Sequence, residues 1–390
     1  MWGGLRRPKG PLQVSCVLAA TMVVAAFSIT TTYAQNARNR WWFPEKQSFG
    51  ALSERANANT VTVVSGSPEG ASLWIAHDLS AVLDDGEQFR VLPLVGKGGG
   101  QNIRDVRFLK GVDLGIAQAN LLNAFRRNNE IGNLDGKIVY IAKLFGEEMH
   151  VAVSASSGIR SLDQLAGKTV NLGSINSGTQ LSARDVFSRL NIKIEEVNLE
   201  QPDALEKVRA GQIAASVLIS GKPAAPMTKV TAEQGLRLLP IPFAKSLLDD
   251  YLPGVLTSED YPGLVRAGED VETISAAAVL IAYNWPKGSE PYRRLEDFVG
   301  RFFSKLDAFT QSPHRHSKWR EANFAAPLAG WARFQPAEDW LARNRESLTA
   351  RRQFNEFLSS RLGVDAPGSE EERERLFNDF VKWSQERERR

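Results

Sequence analysis

Residues 170–190, VNLGSINSGTQLSARDVFSRL, decide the fold. An apolar pulse, Val170 and Leu172, runs into glycine and small hydroxyls. A helical period then begins, with Ala183, Val186, Phe187 and Leu190 at i, i+3, i+4 and i+7. A strand therefore ends in a polar loop that opens a helix. The first N–H groups of any helix lack an intrahelical partner, so this loop either holds something that accepts hydrogen bonds or is capped by its own Ser177.

The same rhythm extends in both directions. Upstream, VTVVSG (61–66), FRVLPLVG (89–96) and VDLGIAQAN (112–120) read as strands. They alternate with helical patterns in ASLWIAHDLSAVL (71–83) and after KGGGQ. KIVYIAKLFGEEMHVAVSA (137–155) reads as two strand-like runs around GEE. Downstream, SLDQLAG (161–167) is a capping box, Ser161 with Gln164, stopped by Gly167. KTVNLGS (168–174) is a strand, QPDALEKVRAG (201–211) a helix and QIAASVLISG (212–221) a strand. ETISAAAVLIAYN (272–284) is a long β-like run that returns the chain to the first unit. From about residue 290 the pattern is helical, and the tail opens a further capping box at Ser369 and Glu372. Alternating β and α elements predict an α/β fold with parallel sheets covered by helices. Two Rossmann-like lobes joined by crossing strands would leave a ligand cleft at the strands' carboxyl ends, where loops 65–72, 96–102, 118–120, 173–179 and 220–223 all fall.

The chain has 390 residues, 43% hydrophobic and 24% charged, which is an ordinary globular composition. Arg6, Arg7 and Lys9 are the only charged side chains before residue 38, and beyond Ala34 acids and bases balance. That balance excludes nucleic acid as a partner. The three cations precede the apolar run PLQVSCVLAATMVVAAFSI and then TTTYA, a secretory signal over 1–34 cleaved after Ala34; an uncleaved anchor is the alternative. Cys16 precedes most of the apolar run, a poor position for lipid attachment, and is the one cysteine, so the exported chain relies on its core rather than on disulfides. The expected location is periplasmic. The expected organisation is an N-terminal arm, 35–58, carrying Trp41 and Trp42; lobe 1, 59–152 with 275–325; lobe 2, 153–274; and a C-terminal helical extension, 326–390.

Motifs for bond-breaking chemistry are missing. GSINSGT spaces Gly173 and Gly178 as a P-loop does but puts Thr179 where the phosphate-reaching Lys belongs. GKGGGQ puts Gln101 in place of the last glycine of a dinucleotide loop, and SGSPEG misplaces the Ser of a nucleophile elbow. The four histidines form no metal-ligand set, and His77 and His150 read as structural residues. No catalytic residue, metal or cofactor is expected. A small anion suits what remains: donors at a helix N-terminus with the hydroxyls of Ser174, Ser177 and Thr179 would receive a carboxylate through several charge-assisted bonds.

The string SGIRSLDQLAGKTVNLGSINSGTQLSA (157–183) resembles the TAXI-type solute receptors of tripartite ATP-independent periplasmic (TRAP) transporters. Their pattern is roughly SGI-x-S-x-x-DL-x-GK-x-V-x-x-G-x-x-x-SGT. VDLGIAQAN is similar to the family's D-L-G-I-x-Q-x-D, and AGQIAASVLISGKPA to its G-x-I-D-A…G-x-P-A. The resemblance covers about residues 60–325. It implies a type II periplasmic-binding fold, closure on a small organic anion such as a carboxylate or amino acid, and docking on the transporter's membrane subunits as a monomer. It carries over Ser67, Gln118, Asn120, Ser174, Asn176, Ser177, Gly178, Thr179 and Lys222 as ligand-binding residues. The first loop departs from the family's G-T-x-x-G-G-T-Y-Y: Ala71, Ser72 and Leu73 replace a Thr and two Tyr, and Glu69 brings a carboxylate that would repel a dicarboxylate's second end or pair with a ligand cation. Gly99 stands for a Ser and Asn120 for an Asp. The competing expectation is a binding fold with a degenerate pocket, serving signalling or scaffolding through its C-terminal extension, with Trp331, Phe334 and Trp340 as partner anchors.

Overall fold

A computed structural model of the chain describes residues 49–346 except 69 and 87, together with 348, 353–354, 374–378 and 380–381. The signal segment, Trp41, Trp42, Glu69 and the Ser369–Glu372 capping box lie outside the described residues. The chain divides after Ala58. In the first unit the described residues form one helix, α1 (Phe49–Ala58).

The second unit is built on a ten-stranded mixed sheet. Its first half alternates strand and helix: β1 (Thr60–Val64), α2 (Ala71–Leu83), β2 (Arg90–Leu94), α3 (Gly99–Phe108), β3 (Leu114–Gln118) and α4 (Ala119–Asn128). A long strand, β4 (Ile138–Ser154), leads into β5 (Thr169–Asn171), α5 (Gly178–Arg189), β6 (Glu195–Val197), α6 (Gln201–Arg209), β7 (Ala215–Ser220) and α7 (Ala225–Thr228). Two short strands, β8 (Leu236–Leu238) and β9 (Leu252–Thr257), precede a second long one, β10 (Asp270–Tyr283). Helices α8 (Glu290–Ser304), α9 (Leu306–Thr310) and α10 (Gln335–Arg343) follow. The strand order is β2-β1-β3-β10-β4-β7-β5-β6, with β8 on β4 and β9 on β10.

Pairing is parallel in β2-β1-β3 and in β6-β5-β7, as the alternating pattern requires, because a parallel neighbour can be reached only through a crossover. The run around GEE, expected as two strands, is one. Residues 138–148 of β4 pair antiparallel with β10, and 148–153 pair with β7. β10 changes neighbours in the same way, pairing with β9 through Ser275 and with β3 from Ala278. These two strands thus belong to both halves of one continuous sheet, and residues 146–148 sit where the pairing changes.

Both faces of each half are covered, which explains the near-continuous apolar reading of the strands. In the first half, α2 and α8 cover one face with Ile75, Leu79, Phe298 and Phe302, and α3 and α4 cover the other with Ile103, Val106, Leu122 and Phe125. In the second half, Ala183, Val186 and Phe187 of α5 pack with Val170 and Leu172, while Ala204 and Val208 of α6 pack with Met227 and Tyr261.

Residues Trp331, Phe334, Ala337 and Leu341 belong to the first half's core. Tyr140 N–H donates to Ala332 O at 3.1 Å and Phe334 N–H donates to Tyr140 O at 2.8 Å, so this segment is stitched to β4. Phe334 is 1% exposed, Trp331 is buried, and Trp340 stacks on Phe303 with ring centres 5.1 Å apart. Intramolecular packing therefore occupies the three aromatics that a scaffold reading would need as partner anchors. Among the described residues no helix is long and apolar enough to cross a membrane.

Candidate functional site

A cavity of about 380 Å³ lies at the carboxyl ends of β1, β3, β5 and β7, between the two halves of the sheet. Gly66, Ser67, Pro68, Gly70, Ser72, Gly96 to Gly99, Ile116 to Gln118, Gly173, Ser174, Ser177 to Thr179 and Leu218 to Ser220 contribute to its wall. So do Glu147 of β4 and Leu199 to Gln201 before α6. All five loops singled out by sequence reach the cavity, 118–120 through Gln118 alone and 220–223 through Ser220 alone.

Five helices begin at this cavity. Their N-cap residues, Gly70 for α2, Gly98 for α3, Gln118 for α4, Ser177 for α5 and Glu200 for α6, all line it. Each N-terminus carries roughly half a positive charge from its aligned peptide dipoles. Among the described residues, Lys97, Glu147 and Glu200 are the formally charged side chains in the wall. Ser220 Oγ, on the cavity wall and 3% exposed, finds no hydrogen-bond partner among the described residues. Buried hydroxyls are rarely left so.

The candidate residues divide clearly. Ser67, Gln118, Ser174, Ser177, Gly178 and Thr179 line the cavity. Ser177 also accepts from Gln180 N–H at 3.1 Å, so it caps α5 as well as facing the site. Ser174 Oγ donates to Glu200 Oε1 at 2.6 Å, and Thr179 Oγ1 accepts from Ile219 N–H at 3.1 Å. Both hydroxyls therefore have protein partners.

Three candidates do not line the cavity. Asn120 is fully buried, its amide donating to Ser182 Oγ at 2.8 Å and Tyr251 Oη at 3.0 Å; it joins α4 to α5 and does not line the cavity. Lys222 Nζ is held by Val255 O at 2.8 Å and Asp260 at 2.9 Å, away from the wall. Asn176 is exposed at a turn, with φ of 63° and its N–H donating to Gln180 Oε1. His150, in contrast, is the structural residue expected: fully buried, with ring nitrogens on Leu218 O and Tyr261 Oη, and pushed down to about 4 by burial.

Sequence reading missed Ser72, Glu147 and Ser220. Ser72 Oγ donates to Glu147 Oε1 at 3.0 Å, and Gln118 Nε2 donates to Glu147 Oε2 at 2.6 Å. Burial pushes the Glu147 carboxyl up to about 7, against those two donors, which favour the ionised form. The available signal was the acid pair GEE inside an otherwise apolar strand. Gly99 of GKGGGQ serves close approach. Gly178 N–H donates to Lys97 O at 3.3 Å, and a Cβ on Gly99, whose φ is +47°, would lie 2.5 Å from Gly178 Cα. The two halves therefore meet backbone to backbone over the cavity. Among the described residues no group of metal-ligating side chains is present.

Residues 70–287 match the NMT1-like family, more than half of the chain. The chain belongs to that family. It has the periplasmic-binding-protein fold, a mixed α/β sheet in two halves with the site between them. Among solved structures it is similar to a periplasmic transporter at 15% identity, over 74% of this chain and 93% of that one, with a TM-score of 0.45. It is also similar to the substrate-binding protein of an amino acid ABC transporter at 12% identity, over 65% and 100%, TM-score 0.38. A third is the periplasmic aliphatic sulphonate binding protein SsuA from Escherichia coli at 12% identity, over 83% of each chain, TM-score 0.37.

Proposed function

We propose that this chain is an extracytoplasmic solute receptor. It captures a small organic anion, a carboxylate or amino acid, between two lobes and presents it to the membrane subunits of a TRAP-type secondary transporter. The observation that carries this reading is the convergence of five helix N-caps and the unpartnered Ser220 hydroxyl on one cavity. Helix N-termini attract an anionic oxygen, and charge-assisted bonds of about 1.5–3 kcal/mol each would bring a small acid to micromolar affinity. The TRAP assignment draws on the SGI…SGT string, whose Ser177, Gly178 and Thr179 face the cavity. The contact between Lys97 and Gly178 supports domain closure as the signal: a ligand that touches both lobes shifts the population toward the closed form, which the membrane subunits read. The chain binds and releases its solute unchanged, in the periplasm.

A thermal-shift screen of the exported protein against carboxylates and amino acids tests this. A true ligand at a hundred times its Kd stabilises by about 2.7 kcal/mol. Ser220→Ala should melt no lower than wild type without ligand, because it removes an unsatisfied hydroxyl, yet bind about tenfold more weakly. A panel that produces no shift, or equal binding by Ser220→Ala, would overturn the reading.

A further inference from the structure

We propose that Glu147 is the specificity residue of the cavity and takes a protonated nitrogen of the solute. The ligand is then a zwitterion, with its acid group at the helix N-termini and its cation on Glu147. This rests on the receptor reading and narrows it.

The geometry leaves Glu147 open to such a partner. It stands in the cavity wall where β4 passes from one half of the sheet to the other. Ser72 Oγ and Gln118 Nε2 each satisfy one of its oxygens. A carboxylate has about four acceptor sites, so two remain. Gln118 is itself fixed, because its Oε1 accepts from Ser182 Oγ at 3.0 Å, and this aims its amide donor at Glu147.

The charged groups packed nearby are spoken for. Glu148, the next residue on the strand, is bound by Lys318 Nζ at 2.7 Å and by Lys222 N–H at 2.8 Å. Lys318 divides its charge between Glu148 and Glu321, 2.8 Å away, and reaches Glu147 only through space. Lys97, the one formally cationic side chain among the wall's described residues, is exposed. Glu147 is thus a buried carboxyl whose direct contacts are neutral donors alone. An arriving ammonium, amidinium or protonated ring nitrogen would complete it, and a second carboxylate would be repelled.

The rival is a protonated Glu147 that donates to a ligand carboxylate, and proton counting separates the two. A cationic ligand lowers the pKa of Glu147, so binding below about pH 7 releases protons. A carboxylate accepting from Glu147 requires proton uptake.

The experiment is calorimetric titration with matched pairs that differ only in the amine: 4-aminobutyrate with butyrate, alanine with propionate, glutamate with glutarate. Buffers of different ionisation enthalpy at pH 6 report the protons. The expected result is that the amine member of a pair binds at least about tenfold tighter with proton release. Glu147→Gln should bring it down to the level of its partner, and Glu147→Asp should restore part of the preference. If the acids lacking an amine bind as well or better, or if binding takes up protons, Glu147 does not select a cation and the receptor reading still stands. If no acid of either kind binds folded wild-type protein, both fall.

Discussion

Glu147 and Glu148 are neighbours on one strand with opposite fates. Successive side chains of a strand face opposite sides, so one acid enters the cavity wall and the other turns into the packing behind it. Glu148 meets the fully buried ammonium of Lys318 at 2.7 Å and the Lys222 N–H at 2.8 Å. Glu147 meets Ser72 and Gln118, both uncharged. Burial pushes both carboxyls upward, but only Glu148 has a contacting cation that opposes the shift. Depth of burial therefore does not separate a structural acid from a reactive one. The sign of what touches it does.

Breaking the structural side should have the largest effect. Lys318→Met leaves Glu148 buried without its cation, and losing one partner of a buried pair costs about 3–5 kcal/mol. Urea unfolding should show that loss, and adding Glu148→Gln should recover most of it. A double variant as unstable as the single one would mean that Lys318 acts through packing against Gly221 and its neighbours instead of through charge.

The open side is tested by pH. The folded-state pKa of Glu147 is raised from 4.5 to about 7. The folded protein then holds this proton more tightly than the unfolded chain does. Stability is fully present below pH 4.5 and is lost as pH rises toward 7, by about 3 kcal/mol for a shift of this size. Ligand-free wild type should therefore melt lower at pH 8 than at pH 5, and Glu147→Gln should remove that share of the loss. Identical pH profiles for the two proteins would place Glu147 in water, not in a buried wall.

These two acids also show how far sequence could reach. Residues 170–190 were legible because their information is local: Val170 and Leu172 are buried, Ser177 caps α5, and Ala183, Val186 and Phe187 form its inner face. The βαβ rhythm gave the parallel halves, and the run at 272–284 gave β10. What stayed hidden depends on partners far along the chain. The period of two says that residues 147 and 148 face opposite ways, but pairing with β7 and β10, and the reach of Lys318 from 170 residues away, decide which one faces the cavity. Asn120 looked equivalent to Gln118, yet its amide donates to Ser182 and Tyr251 while that of Gln118 donates to Glu147 in the wall. Gly99 matched no motif, because its meaning lies in the approach of Gly178.

The smallest effect sharpens the contrast most. Ser72 Oγ supports Glu147 through one bond of 3.0 Å, a bond to charge when the acid is ionised and a neutral bond when it is not. Charge-assisted bonds contribute roughly twice what neutral ones do, a difference of about 1 kcal/mol. Ser72→Ala should therefore cost little at pH 5 and about 1 kcal/mol more at pH 8, moving the midpoint of the pH profile upward by under about one unit. The same substitution should leave the Lys318→Met defect unchanged, since Glu148 does not touch Ser72. A midpoint that stays put would show that Gln118 alone holds the open acid. Its free acceptor sites would then lie on the side of the cavity formed by α2.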